Sequence, residues 1–134
     1  MSRVPRRPRP VVAAAALVAL LVIPAVRPAH ASGNLVRCNI GPGQVFAHNA
    51  YPRVLSGVFD EVFVRGVSFI HVFRASGKLK RVDTAPNRYP AGHRDTIDAP
   101  LPPGLTGAYR VIWYDTESDD GAQYGGSFTF TVTP

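Results

Sequence analysis

The chain has 134 residues with 15 Lys and Arg against 9 Asp and Glu, a formal net charge of +6. Five of those cations (Arg3, Arg6, Arg7, Arg9 and Arg27) precede residue 32 and no acid does, so residues 32–134 carry ten cations against nine anions. That near-neutral remainder lacks the basic footprint of a phosphate binder, which excludes a nucleic-acid partner. One cysteine, Cys38, leaves no intrachain disulfide to form.

Residues 1–31 read as an export signal. Arg3 to Arg9 form a positive start, and Val11 to Ile23 is an unbroken apolar run of 13 residues closed by Pro24. Such a run is shorter than the about 20 residues that span a bilayer and suits a signal core. Ala29-His30-Ala31 is a small-x-small cleavage pattern that leaves Ser32 as the mature N-terminus. Cleavage after Ala29 instead would expose His30, but it would place Arg27 at the −3 position. Export to the periplasm or beyond the cell follows. Arg37 just before Cys38 argues against lipid anchoring there, and the thiol reads as a small buried hydrophobe.

Residues 32–134 suit one small domain made of strands. No segment sustains apolar residues at helical spacing, whereas period-2 alternation recurs. Val54 to Val64 is rich in β-formers, with Gly57 weakening its first half. Ser68 to Phe73 alternates Ile70 and Val72 against Phe69, His71 and Phe73. Ala75 to Lys78 is a turn, and Leu79–Val82 and Asp95–Ile97 are short strand candidates. Pro100 to Gly107 is a loop whose prolines exclude a central strand. Along Ala108 to Tyr114, Tyr109, Val111 and Trp113 share one face. Along the last strand Phe128, Phe130 and Val132 do the same, opposite Ser127, Thr129 and Thr131. The expectation is an all-β fold, an Ig-like antiparallel β-sandwich or Greek-key barrel, with Trp113 anchoring the core.

These residues resemble the CopC-type copper-resistance proteins. The resemblance rests on Leu35 three residues after Ser32, Pro42 to Val45 (PGQV), Phe59 to Val62 (FDEV), and Ile70-x-Val72 followed by Gly77. It continues through Leu101 to Trp113 (LPPGLTGAYRVIW) and Asp120 to Val132 (DGAQYGGSFTFTV). It implies a small exported Ig-like sandwich that carries copper in the periplasm. In that family Cu(II) takes the amine and imidazole of an N-terminal histidine together with an Asp-x-His turn, a donor set suited to tetragonal copper.

Here Ser32 stands where the N-terminal histidine would be, Asp120 matches the Asp, and Ala122 replaces the second histidine. Pairing Asp119 with the family's Asp puts Gly121 at the histidine position, so neither register restores it. Met1 is the only methionine, so the thioether site for Cu(I) is missing too. The expected metal ligands are therefore Ser32, Asp120 and His48, the last in a loop. His71 reads as a packed or edge-strand residue and His93 as a solvated one. The acidic run Asp115, Glu117, Asp119 and Asp120 lacks the glycine-punctuated pattern of a calcium loop and reads as a solvated hairpin.

No hydrolase, zinc-protease or phosphate-loop motif is present, so the chain is expected to be a non-enzyme. Two readings stay open: a copper-handling domain with a degenerate Cu(II) site, or an Ig-like interaction module that has lost the metal. The domain is expected to be a monomer, and the sequence identifies no protein partner.

Overall fold

The computed structural model describes residues 35–134 apart from Leu79. The expected signal segment, residues 1–31, and Ser32 lie outside the described residues. The strands in chain order are β1 (Leu35–Cys38), β2 (Val45–Phe46), β3 (Val54–Phe59), β4 (Phe69–Arg74), β5 (Thr96–Pro100), β6 (Gly107–Thr116) and β7 (Gln123–Val132). They form a sandwich of a three-stranded sheet, β1-β3-β5, and a four-stranded sheet, β2-β7-β6-β4.

The expected all-β architecture is observed, with one difference in strand direction. Every pairing is antiparallel except β2 with β7, where Val45 and Phe46 run parallel to Thr131 and Val132. Its hydrogen bonds, Thr131 N to Gln44 O and Thr133 N to Phe46 O, hold β2 along the C-terminal half of β7.

The alternation read from β6 and β7 sets the core. Tyr109, Val111, Trp113, Phe128, Phe130 and Val132 are all buried, and Ile70 and Val72 meet them from β4. Leu55, Phe59, Ile97 and Ala99 close it from the other sheet. The two sheets approach closely at Gly57, where a Cβ would stand 2.4 Å from Ile70 Cδ1 and 2.9 Å from Leu35 Cδ1. Phe59 lies edge-on to both Trp113 and Phe63, at centroid distances of 5.9 and 5.5 Å. Aromatic pairs in this geometry add roughly 0.5–1.5 kcal/mol each beyond the area they bury.

Two tyrosines fasten the proline-rich loop between β5 and β6. The Tyr51 hydroxyl donates to Pro102 O and accepts from Leu105 N, and the Tyr109 hydroxyl does the same with Thr106 O and Thr106 N. The free edge of β4 is closed by side chains and by two backbone bonds of the strap that follows it, Arg74 N to Lys80 O and Val82 N to Val72 O, rather than by a full strand. Asn87 bonds both the N–H and the carbonyl of Ile70, and Asp83 accepts from Val72 N. The strand expected at Leu79–Val82 is reduced to one bridge, Arg81 with Phe73, because side chains of this strap take over the pairing beyond it. An edge dressed in this way offers no template to a second chain.

Candidate functional site

The β6–β7 hairpin ends in a turn whose backbone is pinned at both ends. Glu117 N donates to Ala122 O at 2.9 Å and Gly121 N donates to Glu117 O at 3.2 Å. Gly121 takes a φ of 73°, a left-handed conformation that glycine adopts without a Cβ penalty. Two aspartates add local bonds: Asp119 Oδ1 accepts from Asp120 N, and Asp120 Oδ1 accepts from Ala122 N, each at 2.8 Å. This is the Asx chemistry that fixes such turns.

The result is a group of three carboxylates. Glu117, Asp119 and Asp120 each present a donor oxygen within 4.8 Å of the others, with Glu117 buried and the two aspartates exposed. The Ala122 N–H is the main cause that holds the Asp120 carboxyl below its ordinary range, so it is ionised at neutral pH. The negative field of Glu117, ahead of Asp120, raises the Tyr124 phenol. Asp115, the fourth acid of the run, is fully buried on the inward face of β6 and takes no place in the group.

The turn sits at the end of the sandwich where β1 begins. Phe63 bridges Glu117, Ser118 N donates to Val62 O, and Val64 N donates to Thr116 O. Leu35, the first residue of β1, pairs with Phe59 immediately before that loop. Asp120 is thus at the end of the sandwich where Leu35 starts β1.

His48 is not. It lies in an exposed turn directly after β2, and Phe46 of β2 pairs with Val132, the last residue of β7. Asp120 precedes the first residue of that ten-residue strand, so about 30 Å of strand at roughly 3.3 Å per residue separates the two ends. The structure therefore does not bring the two expected ligands His48 and Asp120 together. His93 is exposed in a turn, as expected. Ser32 is outside the described residues.

The donor set at the turn is all oxygen. Ala122 supplies only a methyl group and a backbone bond, so no imidazole of the turn reaches the carboxylates. Three carboxylates without nitrogen suit hard cations better than a tetragonal copper ion.

One constellation was not read from the sequence. His71 on the outer face of β4 meets Asp83 from the strap, with Nδ1 at 3.2 Å from Oδ2, and Arg81 Nη2 lies 2.7 Å from the same oxygen. Burial alone would raise the Asp83 carboxyl, but hydrogen bonds from Arg81 and Val72 N, with the charges of Arg81 and His71, outweigh it and hold the group below its ordinary range.

A family model described as the CopC domain matches residues 41–133. Solved structures with the same fold include CopC from Methylosinus trichosporium OB3b, at 23% identity and a TM-score of 0.63, covering 75% of this chain and 93% of that one. PcoC, a methionine-rich copper resistance protein from Escherichia coli, matches at 23% identity and a TM-score of 0.59, covering 75% of this chain and 97% of that one. Comparison with curated proteins returns no match. With the family model spanning well over half its length, the chain belongs to the CopC domain family.

Proposed function

We propose that the protein is an exported, non-catalytic copper-handling domain of the CopC type, which acts as a monomer in the periplasm or outside the cell and holds Cu(II) weakly. The ligands are the α-amine of Ser32 and the carboxylate of Asp120, with Glu117 and Asp119 adding oxygen donors. The observation that carries this reading is the position of Asp120. Its carboxylate is oriented by Ala122 N in a carboxylate group at the end of the sandwich where β1 starts. Leu35 is three residues from Ser32, so the terminal amine has about 10 Å of extended chain with which to reach the turn.

Weak binding follows from the donors. Copper(II) prefers nitrogen, and one amine with several carboxylates forms a poorer tetragonal set than two imidazoles, an amine and a carboxylate. The alternative, an interaction module that has kept the fold and lost the metal, draws on Ala122, which leaves the turn without an imidazole.

Calorimetric titration of the purified exported protein with Cu(II) decides between them. The copper reading expects saturable one-site binding in the micromolar range that Asp120→Asn weakens. Absence of saturable binding supports the interaction module, and nanomolar or tighter affinity would mean that other ligands hold the ion.

A further inference from the structure

Alongside β4 and the strap of residues 80–89 runs a groove of about 710 Å³, within the range of sites that hold small organic ligands. One wall is apolar and aromatic, from Phe69, Ala85, Pro86 and Tyr89. His71 and Arg81 supply its polar side. The sole carboxylate among the lining residues is Asp83, whose side chain has no exposed area.

Asp83 makes the His71 ring directional. Its Oδ1 accepts from Val72 N at 3.0 Å, and its Oδ2 accepts from Arg81 Nε at 2.8 Å and lies 3.2 Å from His71 Nδ1. The carboxylate therefore accepts a hydrogen bond from Nδ1–H and fixes the ring. Phe69 stacks on the imidazole at 4.6 Å with planes 16° apart, and Phe73 meets it edge-on. Nε2 lies on the far side of the ring from Asp83, and no described residue hydrogen-bonds to it. A buried carboxylate behind an imidazole with an open Nε2 is the arrangement that presents this nitrogen to a ligand.

Charge decides which ligand. Arg81 is 42% exposed on its side chain, and Arg65 lies over the Tyr89 ring at 5.5 Å from its centroid, so cations border the groove. A metal ion would find one imidazole, no accessible carboxylate and two repelling guanidinium groups. An anion would find an N–H donor on protonated Nε2, a guanidinium edge and an apolar wall.

The geometry points to a binding site for a small organic acid, one carboxylate on an apolar body, held by Nε2–H of His71 and by Arg81 with its body against Phe69, Pro86 and Tyr89. This site is independent of the copper reading. Binding takes up a proton, because Nδ1–H is already given to Asp83 and Nε2 must carry a second proton to donate. The other titratable or charged groups near the ring are Arg81 beside Asp83, Tyr114 of β6 beyond Phe69, and Arg110 opposite Phe73.

Benzoate is the probe, with benzamide as its uncharged counterpart, followed by amide chemical shifts of the purified exported protein. Saturable benzoate shifts at residues 69–71 and 81–89 are expected, without a response to benzamide. Affinity should fall as the pH is raised and the second ring proton is lost. His71→Gln should remove that dependence, and Arg81→Gln should weaken binding about tenfold at every pH, as loss of a charge-assisted bond does. His93→Ala should change nothing. Equal binding of benzamide, pH-independent binding, unchanged affinity in His71→Gln, or no saturable shift in the groove would each overturn the proposal. Wild-type-like shifts outside the groove in each variant show that it has folded.

Discussion

Gly126 and Trp113 pair across β6 and β7, and a Cβ on Gly126 would stand 2.7 Å from Cζ2 of the indole and 3.0 Å from Nε1. The indole therefore lies over a backbone that only glycine leaves open, with Phe59 on another side. Gly126→Ala should push the ring out of its seat and destabilise the fold by about 1–3 kcal/mol, the usual cost of overpacking. Trp113→Ala should cost about 3–5 kcal/mol, a large part of the about 5–15 kcal/mol that holds a small domain together. Once the indole is gone, the alanine at 126 should do little further harm. Urea unfolding of the two single variants and the double variant measures this, and additive losses would refute the steric coupling.

Asp83 should govern part of the acid stability. Its carboxyl titrates lower in the folded protein than in the unfolded chain. The stabilisation is therefore complete above the unfolded value, about 3.9, and is lost as pH falls through the lower folded value. Asp83→Asn should cost about 1–3 kcal/mol at neutral pH through the weakened bonds to Val72 N and Arg81. It should also reduce the fall in stability below about pH 4. Chemical denaturation across that acid range checks the sign. A variant whose stability falls as steeply as the wild type would place the acid sensitivity elsewhere.

Cys38 should be a slow nucleophile in the folded protein. Burial raises its thiol above the ordinary value, against weaker opposing bonds from the backbone of Ile40 and Asn39. Less thiolate and less access both slow alkylation. Iodoacetamide should modify the native protein at least about tenfold more slowly than the same chain in denaturant, where the ordinary thiol pKa near 8.5 returns. Equal rates would contradict the packing of Cys38 against the core.

The long strands were legible because their two faces differ. In β6 and β7 the alternation of large apolar with polar residues matches the observed burial, and Trp113, Tyr109, Val111, Phe128 and Phe130 face one core as expected. The short strands carried no such pattern. β2 has two residues, neither fully buried, and it exists through a parallel pairing with residues 86 positions away. The β-rich stretch from Val54 ends as a strand at Phe59, where Asp60 and Glu61 turn the chain outward. Site residues behaved likewise. The place of Asp120 in the β6–β7 turn could be read from its order in the hairpin, but a loop histidine such as His48 says nothing about which end of the sandwich it occupies. The His71–Asp83 pair spans 12 positions and is created by the strap along β4, which local periodicity cannot foretell.

The last prediction restores what the turn lacks. Ala122 follows Asp120 by two residues, is half-buried, and anchors the Asx turn through its N–H rather than its side chain. Ala122→His should therefore keep the turn and add an imidazole beside Asp120. Ser32→His should add a second imidazole to the terminal amine. Each single change supplies one ring to a site that still lacks the other, so each should tighten Cu(II) binding modestly. Together the rings complete a tetragonal set of nitrogen and oxygen donors around one ion, and the double variant should exceed the sum of the single free-energy gains. Calorimetry reads the affinities, and electron paramagnetic resonance should show nitrogen couplings from both imidazoles only in the double variant. Merely additive gains, or coupling from one ring alone, would mean that the N-terminus and the acidic turn hold separate ions. The shared site proposed for Ser32 and Asp120 would then be wrong.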